Sequence, residues 1–171
     1  MSESMGDLAP YGSGVDATLI PYKTAREVLA SKPPAVYALA PGDSVLSALR
    51  VMADKNIGLV VVLEGTRMVG VLSERDYARK VALLGRSSKD TLVRDIMTTA
   101  VVHVAPTQTV AECMGLMDEK RFRHLPVVEG SQVLGVLSIR DLQKEVIHHH
   151  ARLISMLEIE RTGLLNQSGS Y

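Results

Sequence analysis

Gly70-Val71-Leu72-Ser73-Glu74-Arg75-Asp76 returns as Gly135-Val136-Leu137-Ser138-Ile139-Arg140-Asp141, an offset of 65 residues. The same offset holds without a gap around that heptad: Pro41 maps to Pro106, Val45 to Val110, Met52 to Met117, Val62 to Val127, and Glu64-Gly65 to Glu129-Gly130. Upstream of the prolines the register slips by three, so that Val28-Leu29 matches Ile96-Met97. The first copy therefore carries extra residues near Pro33-Pro34. A long internal match of this kind is the signature of a duplicated structural unit.

Each copy reads the same way. Ala35 to Leu39 and Val101 to Val104 are short strands that end at a proline. Ser44 or Thr109 then heads an amphipathic helix, and Thr109 with Glu112 has capping-box spacing. Val45, Ala48, Leu49 and Met52, like Val110, Cys113, Met114 and Met117, follow the i, i+3, i+4, i+7 pattern of one buried helix face. Leu59 to Leu63 and Met68 to Leu72 are β-branched-rich runs joined across Glu64-Gly65-Thr66, which predicts a hairpin. A second helix opening at Ser73 or Ser138 is expected to bury Tyr77, Val81 and Leu84, or Leu142, Val146 and Ile147. The unit is β-α-β-β-α, and the fold class is α+β. A unit of ~60 residues buries only about 60% of its unfolded surface, so the two copies are expected to pack around a pseudo-two-fold axis.

The organisation expected is a flexible tail over residues 1–20, a first repeat over 21–86, a second over 91–150, and a C-terminal helix and tail over 151–171. Gly85 to Asp90 is the linker. Nineteen Lys+Arg balance nineteen Asp+Glu, which gives no field to hold a nucleic-acid backbone or an anionic membrane. No apolar run approaches the ~20 residues of a membrane span, and the N-terminus lacks a signal-peptide pattern. A cytoplasmic protein is expected, with no nucleic-acid or membrane partner. The single Cys113 lies in an apolar helical pattern and reads as core.

The chain is similar to a known family. VRDIMTTAVVHVAPTQTVAECMGLMDEKRFRHLPVVEGSQVLGVLSIRDL resembles a CBS domain almost from end to end, and the first copy resembles it more loosely; together they cover about residues 24 to 150. The resemblance implies a tandem pair (a Bateman module) whose two clefts accept adenosine derivatives such as AMP, ATP, NAD(H) or S-adenosylmethionine. It also implies dimerisation into a disc. ERDYARKV and FRHLPV are similar to a stand-alone bacterial subgroup associated with AMP and NADH.

The residues suit such a ligand. Ser73-x-x-Asp76 and Ser138-x-x-Asp141 each begin a helix, where backbone N–H groups favour anions, and a carboxylate one turn in can accept both hydrogen bonds of a ribose diol. In isolation, Ser-x-x-Asp is merely a helix cap. Val36, Tyr37, Val101 and Val102, with Ile57 and Leu125, are candidates for an apolar adenine slot. Glu74, Arg75 and Arg140 flank the aspartates, and Arg140 stands where the family often has a small residue. Lys120, Arg121, Arg123 and His124 form the basic cluster, just before Pro126. The family implies phosphate contacts for Arg123 and His124. Gly58 and Leu59 take those places in the first copy, so the two sites should differ, with the second copy contributing most of the positive charge.

His148, His149 and His150 point about 100° apart on a helix and cannot converge on a metal as an i, i+4 pair would. Leu153, Met156, Leu157 and Glu160 have helical spacing and suggest a dimer or lid helix. No G-x-G-x-x-G follows a strand, and no Ser/His/Asp or Cys/His set can be placed. The expected function is therefore an adenine-nucleotide-binding regulatory module, energy- or redox-sensing, with an unknown downstream protein and no metal or catalysis. The alternative is a ligand-independent dimerisation or interaction scaffold.

Overall fold

A computed structural model describes residues 21–167; the expected N-terminal tail, 1–20, lies outside them. In the first copy α1 (Ala25–Ala30), β1 (Ala38–Leu39), α2 (Val45–Lys55), β2 (Leu59–Glu64), β3 (Arg67–Ser73) and α3 (Glu74–Tyr77) follow in order, and α3 runs into a π-helical turn, Ala78–Ala82. The second copy comprises α4 (Val93–Ile96), α5 (Val110–Lys120), β4 (His124–Glu129), β5 (Gln132–Ser138) and α6 (Ile139–Gln167).

Local sequence explains most boundaries. Ser44 Oγ accepts from the Ser47 N–H, and Thr109 with Glu112 forms the reciprocal box expected of it. Both hairpins close through two-residue turns whose glycines, Gly65 and Gly130, have φ of 61° and 60°. Cys113 is buried in the core, as read.

The first strands are shorter than expected. Only Ala38–Leu39 pairs in the first copy, parallel to β2, and the second copy retains one isolated bridge, Val104 with Val127. The reason is legible in the register: the Val61 N–H donates to the Tyr37 carbonyl at 3.0 Å, but the residue equivalent to Val61 is Pro126, which has no N–H to offer Val102. The second helices also bury less than expected. Val81 and Leu142 are buried, whereas Leu84 is 61% and Ile147 66% exposed. Leu84 falls where the chain leaves the helix, turning at Gly85 with φ 62°, and Ile147 faces away from the core. No break occurs at 150, for α6 runs continuously through the expected repeat boundary.

The repeats exchange their leading helices. Ala25 and Val28 of α1 lie in the core of the second copy with Val110, Leu125, Leu137 and Leu142. Val93 and Ile96 of α4 lie in the core of the first, with Val45, Met52, Leu72 and Val81. Matching backbone bonds fix both exchanges: Ala25 N–H to Gln108 C=O at 2.7 Å and Val110 N–H to Lys23 C=O at 2.9 Å, against Val93 N–H to Asp43 C=O at 2.8 Å and Val45 N–H to Thr91 C=O at 2.9 Å. Neither core is complete without a segment from beyond its own contiguous repeat.

That exchange accounts for the glycine heading each repeated heptad. A Cβ on Gly70 would lie 2.8 Å from Met97 Sδ and 3.0 Å from the Thr98 carbonyl, and one on Gly135 would lie 2.7 Å from Leu29 Cδ2. Met97 and Leu29 are the pair matched by the three-residue slip, so the leading helices lie against the bare backbone of β3 and β5 in the same way.

Candidate functional site

Between the copies lie two clefts, each named here for its aspartate. The Asp141 cleft, about 610 Å³, sets Ser138, Arg140 and Asp141 at the start of α6 against Tyr37 and Ile57 of the first copy. The Asp76 cleft, about 360 Å³, sets Ser73, Arg75 and Asp76 at the start of α3 against Val101, Val102 and Pro126 of the second. Gly58, Glu74, Arg123 and His124 face both. Each cleft thus takes its carboxylate from one repeat and its apolar wall from the other, and both volumes fall in the range of small-molecule sites.

Two expected residues line neither cleft. Leu125 is fully buried in the second core, because alternation along β4 turns it away from the face that His124 presents. Val36, half-buried beside Tyr37, is likewise outside both cleft walls.

The aspartates are held in place by their serines. Asp76 Oδ2 accepts from Ser73 N–H at 3.0 Å and from Ser73 Oγ at 2.6 Å, while the Asp76 N–H donates to Ser73 Oγ at 3.2 Å. Ser138 and Asp141 repeat the arrangement at 2.8, 2.8 and 3.3 Å. The motif is therefore a genuine capping box that also fixes a carboxylate at the cleft wall. Of the helix-start N–H groups, N1 and N3 of both helices are already bonded, Glu74 N–H to Gly58 C=O, Ile139 N–H to Arg123 C=O, and the two aspartate N–H groups to their serines.

Three partners were not read from the sequence. Lys80 reaches Asp76 Oδ1 at 2.8 Å and the Ile96 carbonyl at 2.7 Å; Thr98 Oγ1 donates to the same Oδ1 at 3.2 Å. Lys32 reaches Asp141 Oδ2 at 2.8 Å and the Val136 carbonyl at 3.0 Å. Asp141, which lines the larger cleft, accepts all three of its bonds on Oδ2, and its Oδ1 accepts no hydrogen bond among the described residues. Lys80 was within reach of pattern reading, since Asp76 and Lys80 are an i,i+4 pair; Lys32 lies in the unmatched segment near Pro33 and has no counterpart to flag it.

Electrostatics follow from these contacts. Burial pushes both aspartate carboxyls up, but the lysine ammonium and serine bonds outweigh it, and each ends below the ordinary carboxylate value. Burial lowers His124, against the opposing pull of Glu74 and Asp141, to below the usual imidazole value. The consecutive histidines diverge: His149 is buried and stacks on Tyr22 with centroids 4.0 Å apart, while His148 and His150 are exposed.

Comparison with known proteins agrees with this fold. The family model described as CBS domain matches residues 25–83 and 93–148. A solved CBS-domain structure from Burkholderia ambifaria MC40-6 is 46% identical, covers 74% of this chain and 95% of that one, and superposes with a TM-score of 0.71. The mitochondrial CBS domain-containing protein CBSX3 of Arabidopsis thaliana is 37% identical over 132 residues, 74% of this chain and 62% of that protein, so the match spans about three fifths of that relative's length. The CBS domain pair of protein MJ0100, solved with 5′-methylthioadenosine and S-adenosyl-L-methionine, shares the fold at 23% identity and a TM-score of 0.62, covering 72% of this chain and 95% of that one.

Proposed function

We propose, because this chain belongs to the CBS domain family, that it is a regulatory module whose two clefts bind adenine nucleotides, AMP or NAD(H) foremost and ATP or S-adenosylmethionine as alternatives, without catalysis. The observation that carries the reading is the placement of Asp76 and Asp141 in separate clefts, each opposite apolar residues of the other copy. A ribose diol donates two hydrogen bonds; Asp141, fixed by its capping serine, has Oδ1 unengaged among the described residues to accept them, whereas at Asp76 the diol must displace one of the donors from Ser73, Lys80 or Thr98. Tyr37 and Ile57, or Val101 and Val102, give an adenine ring apolar surface. Adenosine compounds bound to the MJ0100 pair support the ligand class.

Ligand that favours one packing of the two copies shifts the population of that packing. The reciprocal exchange of α1 and α4 makes such coupling direct, because Lys32 just beyond α1 holds Asp141, and Thr98 just beyond α4 holds Asp76. We propose that the module works as a homodimer that passes this change to a downstream protein. Among the described residues no helix is long and apolar enough to cross a membrane. The interaction-scaffold reading is favoured by one feature, the exposed Ile154, Leu157 and Ile159 of α6; it predicts no response to nucleotides.

A thermal-shift panel of AMP, ADP, ATP, NAD, NADH and S-adenosylmethionine separates the readings. Ligand at a hundred times Kd adds about 2.7 kcal/mol of stability. An upward shift with at least one compound is expected, and no shift with any of them removes the proposal.

A further inference from the structure

The two aspartates hold equivalent places in the repeated heptad, yet their carboxylates are unequally occupied. An ionised carboxylate has about four lone-pair sites, two on each oxygen. Asp76 has a donor for each: Ser73 N–H and Oγ on Oδ2, Lys80 and Thr98 Oγ1 on Oδ1. Asp141 has Ser138 N–H, Ser138 Oγ and Lys32, all on Oδ2, and its Oδ1 accepts nothing among the described residues. Accessibility follows the same order, for 23% of the Asp141 side chain is exposed against 14% of Asp76.

The inequality is written into the repeat. At the 65-residue offset Lys80 becomes Glu145, an acid paired with Lys23 and Arg152. In the slipped register that matches Leu29 to Met97, Thr98 becomes Ala30, which has no hydroxyl. The second copy thus lacks both donors that fill Asp76 Oδ1. Of Asp76's partners, Lys80 is the one that yields most readily. Ser73 is the helix cap, and Thr98 is pinned by backbone bonds to Val71 at 2.9 and 3.0 Å. The Lys80 side chain is 41% exposed, so water can solvate it, and it has the Ile96 carbonyl to fall back on at 2.7 Å. Withdrawal of Lys80 opens one site on Asp76, enough for one hydroxyl. Asp141 Oδ1 has two, enough for a vicinal diol. Phosphate does not set the clefts apart, since each has its own exposed guanidinium, Arg140 in one and Arg79 in the other.

Resting on the nucleotide-binding reading, we infer that the clefts read the sugar differently: the Asp141 cleft takes the full 2′,3′-diol and fills first, while Lys80 makes the Asp76 cleft the weaker site, which takes a single sugar hydroxyl. Lys80 is then a specificity-determining residue. The Asp76 cleft accepts an adenosine compound with one ribose hydroxyl missing, and the Asp141 cleft discriminates against it.

Calorimetric titration of the full chain with adenosine, 2′-deoxyadenosine and 3′-deoxyadenosine tests this. Asp76→Asn and Asp141→Asn each leave one cleft intact, and asparagine keeps an oxygen for the serine cap. Asp76→Asn should bind adenosine more tightly than Asp141→Asn does, and should lose about tenfold or more with either deoxy compound, as removal of one bond to a charged acceptor implies. Asp141→Asn should bind one of the two deoxy compounds within about threefold of adenosine, because only one hydroxyl is held there. Adding Lys80→Met to Asp141→Asn should tighten adenosine about three- to tenfold, a modest gain because the ion pair is part-exposed, and should make both deoxy compounds bind less well than adenosine. A loosened fold would weaken all three ligands, so the gain separates competition from structural damage; if Lys80→Met does not fold, the deoxy comparison on the two Asn variants decides. Equal adenosine affinity in the two Asn variants would overturn the inference, as would equal losses from both deoxy compounds at the Asp76 cleft, or no gain from Lys80→Met. Absence of adenosine binding to wild type and to both variants would remove the nucleotide reading and this inference together.

Discussion

Replacing Gly70 by alanine is the sharpest structural probe, because it tests the exchange of α4 and the Asp76 cleft at once. The added methyl would sit 2.8 Å from Met97 Sδ and 3.0 Å from the Thr98 carbonyl. Met97 can swing its thioether aside, but Thr98 cannot retreat freely, since its N–H donates to Val71 C=O at 2.9 Å and its carbonyl accepts from Val71 N–H at 3.0 Å. Displacing it loosens both bonds at about 0.5–1.5 kcal/mol each, so the change should cost about 1–3 kcal/mol. At this chain length each kcal/mol lowers Tm by about 2–4 °C. Gly135→Ala meets only the mobile methyls and Cγ of Leu29, at 2.7, 3.1 and 3.5 Å, and should cost less than about 1 kcal/mol. Since Thr98 Oγ1 donates to Asp76, Gly70→Ala should also weaken adenosine at the Asp76 cleft while sparing the Asp141 cleft. Urea unfolding of both variants, with calorimetric titration of adenosine, gives the two readouts. The reasoning is refuted if Gly135→Ala costs as much as Gly70→Ala.

Other predictions follow from the same contacts. Asp76→Asn and Asp141→Asn should each lose about ten- to a hundredfold in adenosine affinity at their own cleft, as removal of a charged acceptor costs roughly 1.5–3 kcal/mol; titration of the variants checks it, and unchanged affinity in both would speak against the diol contact. Burial, aided by the nearby Glu112 charge, pushes the Cys113 thiol up to about 11, so the native protein at pH 8 should react with a thiol reagent far more slowly than the urea-unfolded chain, and equal rates would contradict its place in the core. Because Asp76 and Asp141 titrate below the unfolded value of about 3.9, the stability they add is present above that pH and is lost as pH falls through their folded values. Urea midpoints between pH 6 and pH 3 should therefore fall more steeply for wild type than for the Asp76→Asn, Asp141→Asn double variant, and parallel curves would count against these pairs.

Much of this was legible in the chain because duplication doubles every signal. A single Ser-x-x-Asp is a helix cap; two at one offset, each before an apolar helix and after a buried hairpin, specify both a fold and a pair of clefts. The caps, the hairpin turns and the buried faces of α2 and α5 are local features, and local physics placed them. What escaped was non-local. The exchange of α1 and α4 joins Ala25 to Gln108 and Val93 to Asp43, contacts that no periodicity encodes, although the three-residue register slip marked the segments involved. Lys32 and Thr98 reach their aspartates only through that exchange. Leu84 and Ile147 fit the helical period yet lie outside the core, because periodicity gives a residue's face and not where the neighbouring layer ends.

The central claim is that Asp76 and Asp141 receive ribose hydroxyls inside clefts built from both copies. The most direct test is a crystal structure grown with whichever panel compound gives the largest thermal shift. The account predicts ribose oxygens within hydrogen-bonding distance of one or both carboxylates, phosphate on the Arg123 side, and adenine against Tyr37 and Ile57 or Val101 and Val102. A bound compound lying elsewhere on the surface, with both aspartates still holding only their serine, lysine and Thr98 partners, would contradict it.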